Sequence, residues 1–176
     1  AENVKGMLIG NAKGYTKMVM ARFKELGYRP QLFLLNAADC GVPQKRERVF
    51  FVAVRNDIDV PPLKLAPTHR WISAGEATSD VQLLTTEEKD ETCIKRFAIG
   101  KEAGKIKEGE TSEKFFSLVR LDKSKPSPSI TAALSGNSTA SVIHSTECRN
   151  LTFREVKRLG SFPDDYHAKT DKIGKY

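Results

Sequence analysis

Three polar side chains with fixed hydrogen-bonding groups lie close together near the start of the chain. Gln44, Arg46 and Arg48 alternate along the sequence and are followed directly by an apolar run. If a strand begins here, alternate side chains project to one face, so the three would lie together. An amide and two guanidinium groups can then bind a phosphate or the oxygen edge of a nucleobase. The alternative is that both arginines form local ion pairs at a strand edge.

Two apolar runs must position these side chains. Residues 31–36 enter the polar segment and residues 49–54 leave it. Short runs that are continuously apolar are typical of buried strands. Only about a dozen residues separate them, which is too few for a helical crossover, so we predict an antiparallel pair.

A helix is predicted before the first of these strands. Thr16 is a candidate cap, and Val19, Phe23 and Leu26 fall on one face of the helix that would follow it. Gly27 is a natural stop just beyond the last of them. The first part of the chain is therefore interpreted as a helix and two strands at the edge of a larger α/β sheet.

The second part of the chain has a different composition. Pro61, Pro62 and Pro67 mark an extended segment, and we place a domain boundary near residue 66. Two capping boxes follow, at residues 85–88 and 152–155, and each predicts the start of a short helix. The Gly- and Lys-rich segment 98–109 is predicted to be a loop.

The charge balance points to a polyanionic partner. Net charge is +7 over 176 residues, and basic residues outnumber acidic ones between Thr111 and Arg158. Such a balance favours nucleic acid as a partner and says little about the fold. No apolar run approaches the length of a membrane span, so no membrane partner is expected.

Three segments, in order along the chain, resemble signature motifs of the DNA (cytosine-5) methyltransferases. Residues 36–48 fit Asn-Ala-x-Asp-x-Gly-Val-Pro-Gln-x-Arg-x-Arg, the eighth motif, and are followed by its hydrophobic strand. Residues 2–4 fit the Glu-Asn-Val motif, and residues 149–166 resemble the ninth motif. Together the three span almost the whole chain, and three ordered motifs are far more specific than one.

The resemblance implies a fold in two parts. Residues 1–66 would be the C-terminal portion of the catalytic domain, forming an incomplete edge of a class I methyltransferase (Rossmann-like) α/β sheet. Residues 67–176 would be a small α+β target-recognition domain that carries the ninth-motif helix and reads the major groove of duplex DNA.

The resemblance also implies roles for individual residues. Glu2 would bind the N3 side of a cytosine that has left the DNA stack, and Arg48 would bind its O2 side. Arg46 would be a phosphate-binding or scaffold arginine, and Asn3 would hold the Glu2 loop. Further candidates for contacts to the base or to DNA phosphates are Gln44, Ser129, Thr131 and Arg149, with His144 and Lys125 as additional phosphate contacts.

The family's nucleophile and donor site are not expected in this chain. The methyl donor is S-adenosylmethionine, and neither its Gly-rich loop nor a Pro-Cys nucleophile is found in the sequence. Cys40, Cys93 and Cys148 follow no proline and have no metal-ligand spacing, so we interpret them as small packed residues and expect no metal.

We therefore expect a fragment that lacks the N-terminal catalytic half of the same polypeptide and does not transfer methyl groups alone. The expected location is the cytoplasm, in a bacterial or phage restriction-modification setting, since the cysteines suggest no disulfide framework. The alternative is a non-catalytic module that binds duplex DNA, or one subunit of a split enzyme.

Overall fold

The computed structural model describes residues 1–81, 85–115, 117–131 and 142–167. The first part contains the strands β1 (Glu2–Val4), β2 (Tyr28–Asn36) and β3 (Glu47–Arg55), the helix α1 (Ala12–Glu25), and two short 3-10 helices, Lys5–Leu8 and Ala37–Cys40. The second part contains α2 (Ala74–Ala77), α3 (Thr86–Thr92), α4 (Ala98–Ala103), β4 (Val119–Arg120), β5 (Val142–Ile143) and α5 (Phe153–Leu159).

The first part is built on an antiparallel sheet. The strand order is β1-β3-β2, so β3 is the central strand, and Val49 and Phe51 in it are buried. The register places Phe33 opposite Phe50 and Leu35 opposite Arg48. The predicted antiparallel pairing of the two apolar runs is confirmed, and both strands extend further than the runs themselves.

The helix α1 begins earlier than its sequence signals indicate. Thr16 is not the cap: it lies inside the helix, is buried, and donates its hydroxyl to the carbonyl of Met7 at 2.6 Å. This contact fastens α1 to the preceding 3-10 helix. Gly27 does end the helix, with a φ of +81° that an L side chain rarely adopts.

Much apolar surface of the first part is exposed. Val19 and Leu26, which were predicted to lie on one face of α1, are 37% and 56% exposed. Tyr15 and Met18 on the same helix are also exposed, and so is Leu34 on β2. Such exposed apolar surface fits the interpretation of this part as the incomplete edge of a larger sheet.

Two buried clusters form the interior of the second part. The first contains Ile94, Ile99, Ala103, Ile106, Leu118 and Ile143. The second contains Ala74, Leu121, Val142, Leu151 and Leu159. Residues of the first part belong to neither cluster, and the boundary near residue 66 stays a prediction. Residues 168–176 of the second predicted domain lie outside the described residues.

Local signals predicted two of the four helices described in this part, α3 and α5, and missed α2 and α4. The capping boxes at Thr85 and Thr152 are both formed, with Glu88 and Glu155 as their reciprocal partners. The prediction of a loop over 98–109 is wrong at its start, since α4 occupies Ala98–Ala103. Ile99 and Ala103 of α4 are buried in the first cluster, so packing forms this helix where the sequence offers no cap.

A buried arginine joins α4 to the turn before α5. Arg120 is 6% exposed, and its guanidinium donates to main-chain carbonyls of Ala103, Ile106, His144, Ser145 and Glu147. A second arginine, Arg154 of α5, binds Glu88 of α3 with two hydrogen bonds, at 3.0 and 2.7 Å.

Within the described ranges, no helix is both long and apolar enough to cross a membrane.

Candidate functional site

Glu2 and Arg48 come together on one face of the sheet. Nε of Arg48 lies 2.8 Å from Oε1 of Glu2, and Nη1 donates to the carbonyl of Glu47 at 2.8 Å. Val4 is the register partner of Arg48, so Glu2 lies diagonally across the pair on the same face. The Arg48 side chain is 23% exposed and that of Glu2 is 50% exposed, which leaves both accessible from solvent.

Arg48 lines a cleft of about 560 Å³ between the two parts of the chain. Its wall is formed by Val4, Lys5, Gly6, Asn36, Lys45, Glu47, Arg48, Trp71 and Ser129. Lys5 and Glu47 form an ion pair at 2.7 Å on this wall. The cleft therefore combines cations, hydroxyl and amide groups, and one large aromatic ring.

The loop between β2 and β3 is closed by main-chain hydrogen bonds and by one side chain. Oδ1 of Asn36 accepts from the backbone N–H of Ala38 at 3.2 Å and of Arg46 at 3.1 Å. Gly41 turns the chain inside this loop with a φ of +83°, and a Cβ there would lie 3.1 Å from the ring of His69. The loop thus presents Lys45, Glu47 and Arg48 to the cleft.

Main-chain hydrogen bonds hold the second part against this loop. The N–H of Lys45 donates to the carbonyl of Ser127 at 2.8 Å, and the N–H of Ser127 donates to that of Pro43 at 2.9 Å. Ser129 donates its hydroxyl to the carbonyl of Lys45 at 2.8 Å. Ser129 therefore lies at the cleft beside the strand that carries Arg48.

The predicted group of Gln44, Arg46 and Arg48 does not form on one strand face. β3 begins at Glu47, so Gln44 and Arg46 precede the strand and their alternation with Arg48 has no strand to follow. Gln44 is buried, with its backbone bridged to Ser127, whereas Arg46 is exposed. Of the three, only Arg48 lines the cleft.

Two further candidates, Asn3 and Thr131, are exposed and do not line the cleft. Asn3 is exposed and accepts a hydrogen bond from the N–H of Val4 at 2.8 Å. Thr131 is exposed at the end of a described range. Their proposed contacts with the Glu2 loop and with DNA stay predictions.

Arg149 lies away from the cleft, in the interior of the second part. It is 7% exposed and binds both oxygens of Glu155, at 2.8 and 2.9 Å, as well as Glu147 at 2.9 Å. Both carboxylates are thus partners of its guanidinium, and a phosphate contact of Arg149 stays a prediction. Burial acts to raise the pKa of Glu155, but hydrogen bonds and charge from Arg149 outweigh it and hold that pKa below its usual value.

His144 and Lys125 also have partners within the protein. Nδ1 of His144 accepts from the N–H of Glu147 at 3.1 Å, and burial, then the charge of Arg149, lowers the pKa of His144. Lys125 is exposed and binds Asp122 at 2.7 Å. The hydrogen bond from Lys125, with others from Ser124, lowers the pKa of Asp122 to about 2.

The cysteines do not form a site with one another. Cys40 is exposed, which contradicts its interpretation as a packed residue, while Cys93 and Cys148 are half-buried. Cys148 packs against the first cluster. Across the part of the chain that the structure describes, no group of three or more His, Cys, Asp or Glu side chains could hold a metal ion.

The sequence reasoning missed Asp39, Lys45 and Trp71. The indole N–H of Trp71 donates to Oδ1 of Asp39 at 2.7 Å, and Nζ of Lys45 lies 5.0 Å from the ring centroid. Lys45 and Trp71 line the cleft. Lys45 lies between Gln44 and Arg46 in the eighth motif, and this position could have identified it from the sequence. Trp71 follows the proline-rich segment with no motif around it, so only the structure identifies it.

The sequence matches, over residues 1–176, the family described as C-5 cytosine-specific DNA methylase. The type II methyltransferase M.NgoFVII of Neisseria gonorrhoeae is 32% identical over 94% of this chain and 49% of its own length. M.DdeI of Desulfomicrobium norvegicum is 31% identical over 94% of this chain and 52% of its own length. The chain thus spans about half the length of the curated relatives it matches.

Solved structures have the same fold. DNMT2 of Spodoptera frugiperda superposes with a TM-score of 0.65 at 19% identity, covering 99% of this chain and 58% of that one. The Dnmt2 methyltransferase of S. pombe superposes with a TM-score of 0.60 at 16% identity, covering 98% of this chain and 58% of that one. These likenesses confirm the predicted class, a partial α/β sheet of the class I methyltransferase fold.

Proposed function

This chain belongs to the C-5 cytosine-specific DNA methylase family, and from that premise we propose that it is the base-binding and DNA-facing part of a DNA (cytosine-5) methyltransferase. The observation that carries the proposal is the Glu2–Arg48 pair at the edge of the cleft. The whole enzyme would methylate C5 of a cytosine turned out of duplex DNA, as the modifying enzyme of a type II restriction-modification system.

The Watson–Crick edge of cytosine fits a carboxyl group beside a guanidinium. The base would enter next to Arg48, part the ion pair, and present O2 to Arg48 and N3 to Glu2. One proton would be shared between N3 and the carboxyl group, because both are hydrogen-bond acceptors without it. Nucleophilic addition at C6 moves negative charge toward N3 and O2, so both contacts strengthen as the reaction proceeds. Arg48 is held for this by its hydrogen bond to the carbonyl of Glu47.

The other residues of the cleft would hold the DNA strand. Ser129 is a candidate phosphate ligand, because it is exposed at the cleft beside Lys45. Its hydroxyl would turn from the carbonyl of Lys45 to donate to the phosphate. Arg46 and Thr131 are further candidates, since both are exposed. Asn3 would keep the Glu2 strand in place through the N–H of Val4, and Gln44 would act from the interior by supporting the loop.

The nucleophile and the donor site are proposed to come from outside these 176 residues. S-adenosylmethionine would supply the methyl group, and no residue of this chain is assigned to holding it. None of the three cysteines follows a proline, as the family's nucleophile does. A polypeptide segment that completes the sheet would also cover the exposed apolar residues of α1.

Duplex binding by the chain tests the DNA-facing part of this proposal. We expect the anisotropy of a fluorescein-labelled duplex to rise on titration with the chain. The logarithm of affinity should fall linearly with that of salt concentration, with a slope of about −0.9 per phosphate contacted. Affinity that does not change between low and high salt would contradict an electrostatic DNA contact.

A further inference from the structure

Trp71 is a large aromatic side chain held in an accessible position. It lies in the cleft that contains Arg48 and Ser129, yet it is 47% exposed. An indole ring of this size is usually buried far more completely, since it gains most from leaving water. Its exposure in a cleft with few apolar walls therefore suggests a ligand that covers its face.

The ring is fixed in orientation by Asp39. Its N–H donates to the carboxylate at 2.7 Å, and the carbonyl of Asp39 also accepts from the N–H groups of Thr68 and His69, at 3.0 and 3.2 Å. One residue thus anchors both the main chain before Trp71 and the indole itself. A ring held in this way loses little conformational entropy when a ligand binds.

The surroundings of the ring define the ligand. The ammonium of Lys45 lies 5.0 Å from the ring centroid, and Lys5 lines the same cleft. The ammonium lies over the ring, so a base can stack on the other face, or on the same face once Lys45 moves aside to the adjacent phosphate. A nucleotide supplies both the base and the phosphate that this arrangement suits. An isolated apolar ligand would not use the cations, and a free phosphate would not use the ring.

We propose that Trp71 is a stacking platform for a nucleobase of the bound DNA strand, with Lys45 binding the adjacent phosphate. This inference rests on the proposed function, because the DNA strand must enter the cleft for the contact to form. It adds a binding residue from the segment that joins the two parts of the chain, outside every motif in the sequence.

A purely structural role makes a different prediction. If Trp71 serves only to fasten residues 68–71 to Asp39, its hydrogen bond matters and its exposed face does not. Trp71→Phe removes the N–H and keeps an aromatic face, whereas Trp71→Ala removes both. Stacking therefore predicts that the Phe variant binds DNA much as the unaltered chain does, and a fastening role predicts equal losses in both variants.

The experiment uses the fact that the chain contains one tryptophan. A duplex with a single mismatched cytosine, which leaves the stack at low cost, is titrated with the chain. Anisotropy of a fluorescein label reports binding, and quenching of indole emission reports stacking on Trp71. We expect quenching to follow the same isotherm as anisotropy.

Substitutions of single residues test the same contact through their effect on DNA affinity. Trp71→Ala should weaken binding by roughly 5- to 100-fold without changing its salt dependence, because the ring carries no charge. Lys45→Ala should weaken binding and reduce the salt slope by about one phosphate contact. Tyr15→Ala is the matched control, because Tyr15 is an exposed aromatic residue on α1 outside the cleft lining.

Each result decides between the two roles. Quenching in parallel with binding, together with a Phe variant close to the unaltered chain, supports the stacking platform. A rise in anisotropy with unchanged indole emission overturns it and leaves the proposed DNA binding intact. Equal losses in the Phe and Ala variants also overturn it. Absence of any rise in anisotropy overturns both this inference and the proposed DNA contact.

Discussion

The guanidinium of Arg48 binds the carboxylate of Glu2 across two antiparallel strands, with 2.8 Å between Nε and Oε1. The register that pairs Val4 with Arg48 brings these two residues, far apart in the sequence, onto one face. Because β3 is the central strand, its position is fixed from both sides by β1 and β2. The pair is therefore placed by the sheet and does not depend on a flexible loop.

The buried guanidinium of Arg120 should be essential to the second part of the chain. Its donors meet five carbonyls in different directions, which a single ammonium cannot do. Arg120→Ala leaves these carbonyls without a donor and should lower the free energy of unfolding by about 3 kcal/mol or more. Arg120→Lys should recover only part of the loss.

Urea unfolding followed by circular dichroism measures this effect. Arg96→Ala is the matched control, since Arg96 is an exposed arginine of the same part and surface substitutions change stability by about 0.5 kcal/mol or less. An Arg120→Ala variant as stable as the Arg96→Ala variant would contradict the structural importance of the carbonyl contacts.

His144 should make the second part lose stability in mild acid. Burial and the charges of Arg149 and Lys123 lower the pKa of His144, against the opposing charges of Glu155 and Glu147. The unfolded chain therefore takes up the proton at a higher pH than the folded chain does. The contribution of His144 to the free energy of unfolding should keep its full value above pH 6.5, the ordinary pKa of histidine. It should fall as the pH drops below that value.

Thermal unfolding at a series of pH values tests this directly. In the His144→Asn variant the decline between about pH 7 and about pH 5 should disappear, because Asn does not titrate there. A further loss of stability near and below the ordinary pKa of 4.5 should remain, since the folded-state pKa of Glu155 is also lowered. An unchanged decline in the Asn variant would show that His144 is not its cause.

The cysteines of this chain should be dispensable for methyl transfer. Cys40 is exposed and the other two are half-buried, and none follows a proline. In the whole enzyme proposed above, replacing each by Ser should leave transfer from labelled S-adenosylmethionine within a few-fold of normal. The isolated chain should give neither transfer nor a covalent adduct with DNA, and an adduct at any of the three would refute the assignment.

Local signals predicted the parts of the fold that local chemistry determines. The capping boxes at Thr85 and Thr152 and the stop at Gly27 depend on neighbouring residues, so sequence spacing was enough. The antiparallel pair followed from the length of the connection. The start of α1 was misplaced because Thr16 makes a contact with Met7, which lies in another element.

Residues of the candidate site could be predicted only where they belong to a sequence motif. Glu2 and Arg48 were identified from their motifs, and the structure brings them together. The burial of Arg149 was not foreseen, because charge alone does not distinguish a buried ion pair with Glu155 from a surface cation. Trp71 was missed because its place in the cleft depends on a contact with Asp39 across the chain.

The most direct test of the proposed function is methyl transfer by Glu2 and Arg48 variants of the whole enzyme proposed above. If the pair holds the reacting cytosine, Glu2→Gln and Arg48→Ala should each lower the rate on the order of 10²-fold or more. The duplex affinity and the free energy of unfolding of both variants should stay close to those of the unaltered enzyme. Glu25→Gln and Arg22→Ala, which alter an exposed ion pair on α1, are the controls and should transfer normally. Near-normal transfer by either Glu2→Gln or Arg48→Ala would contradict the proposed site.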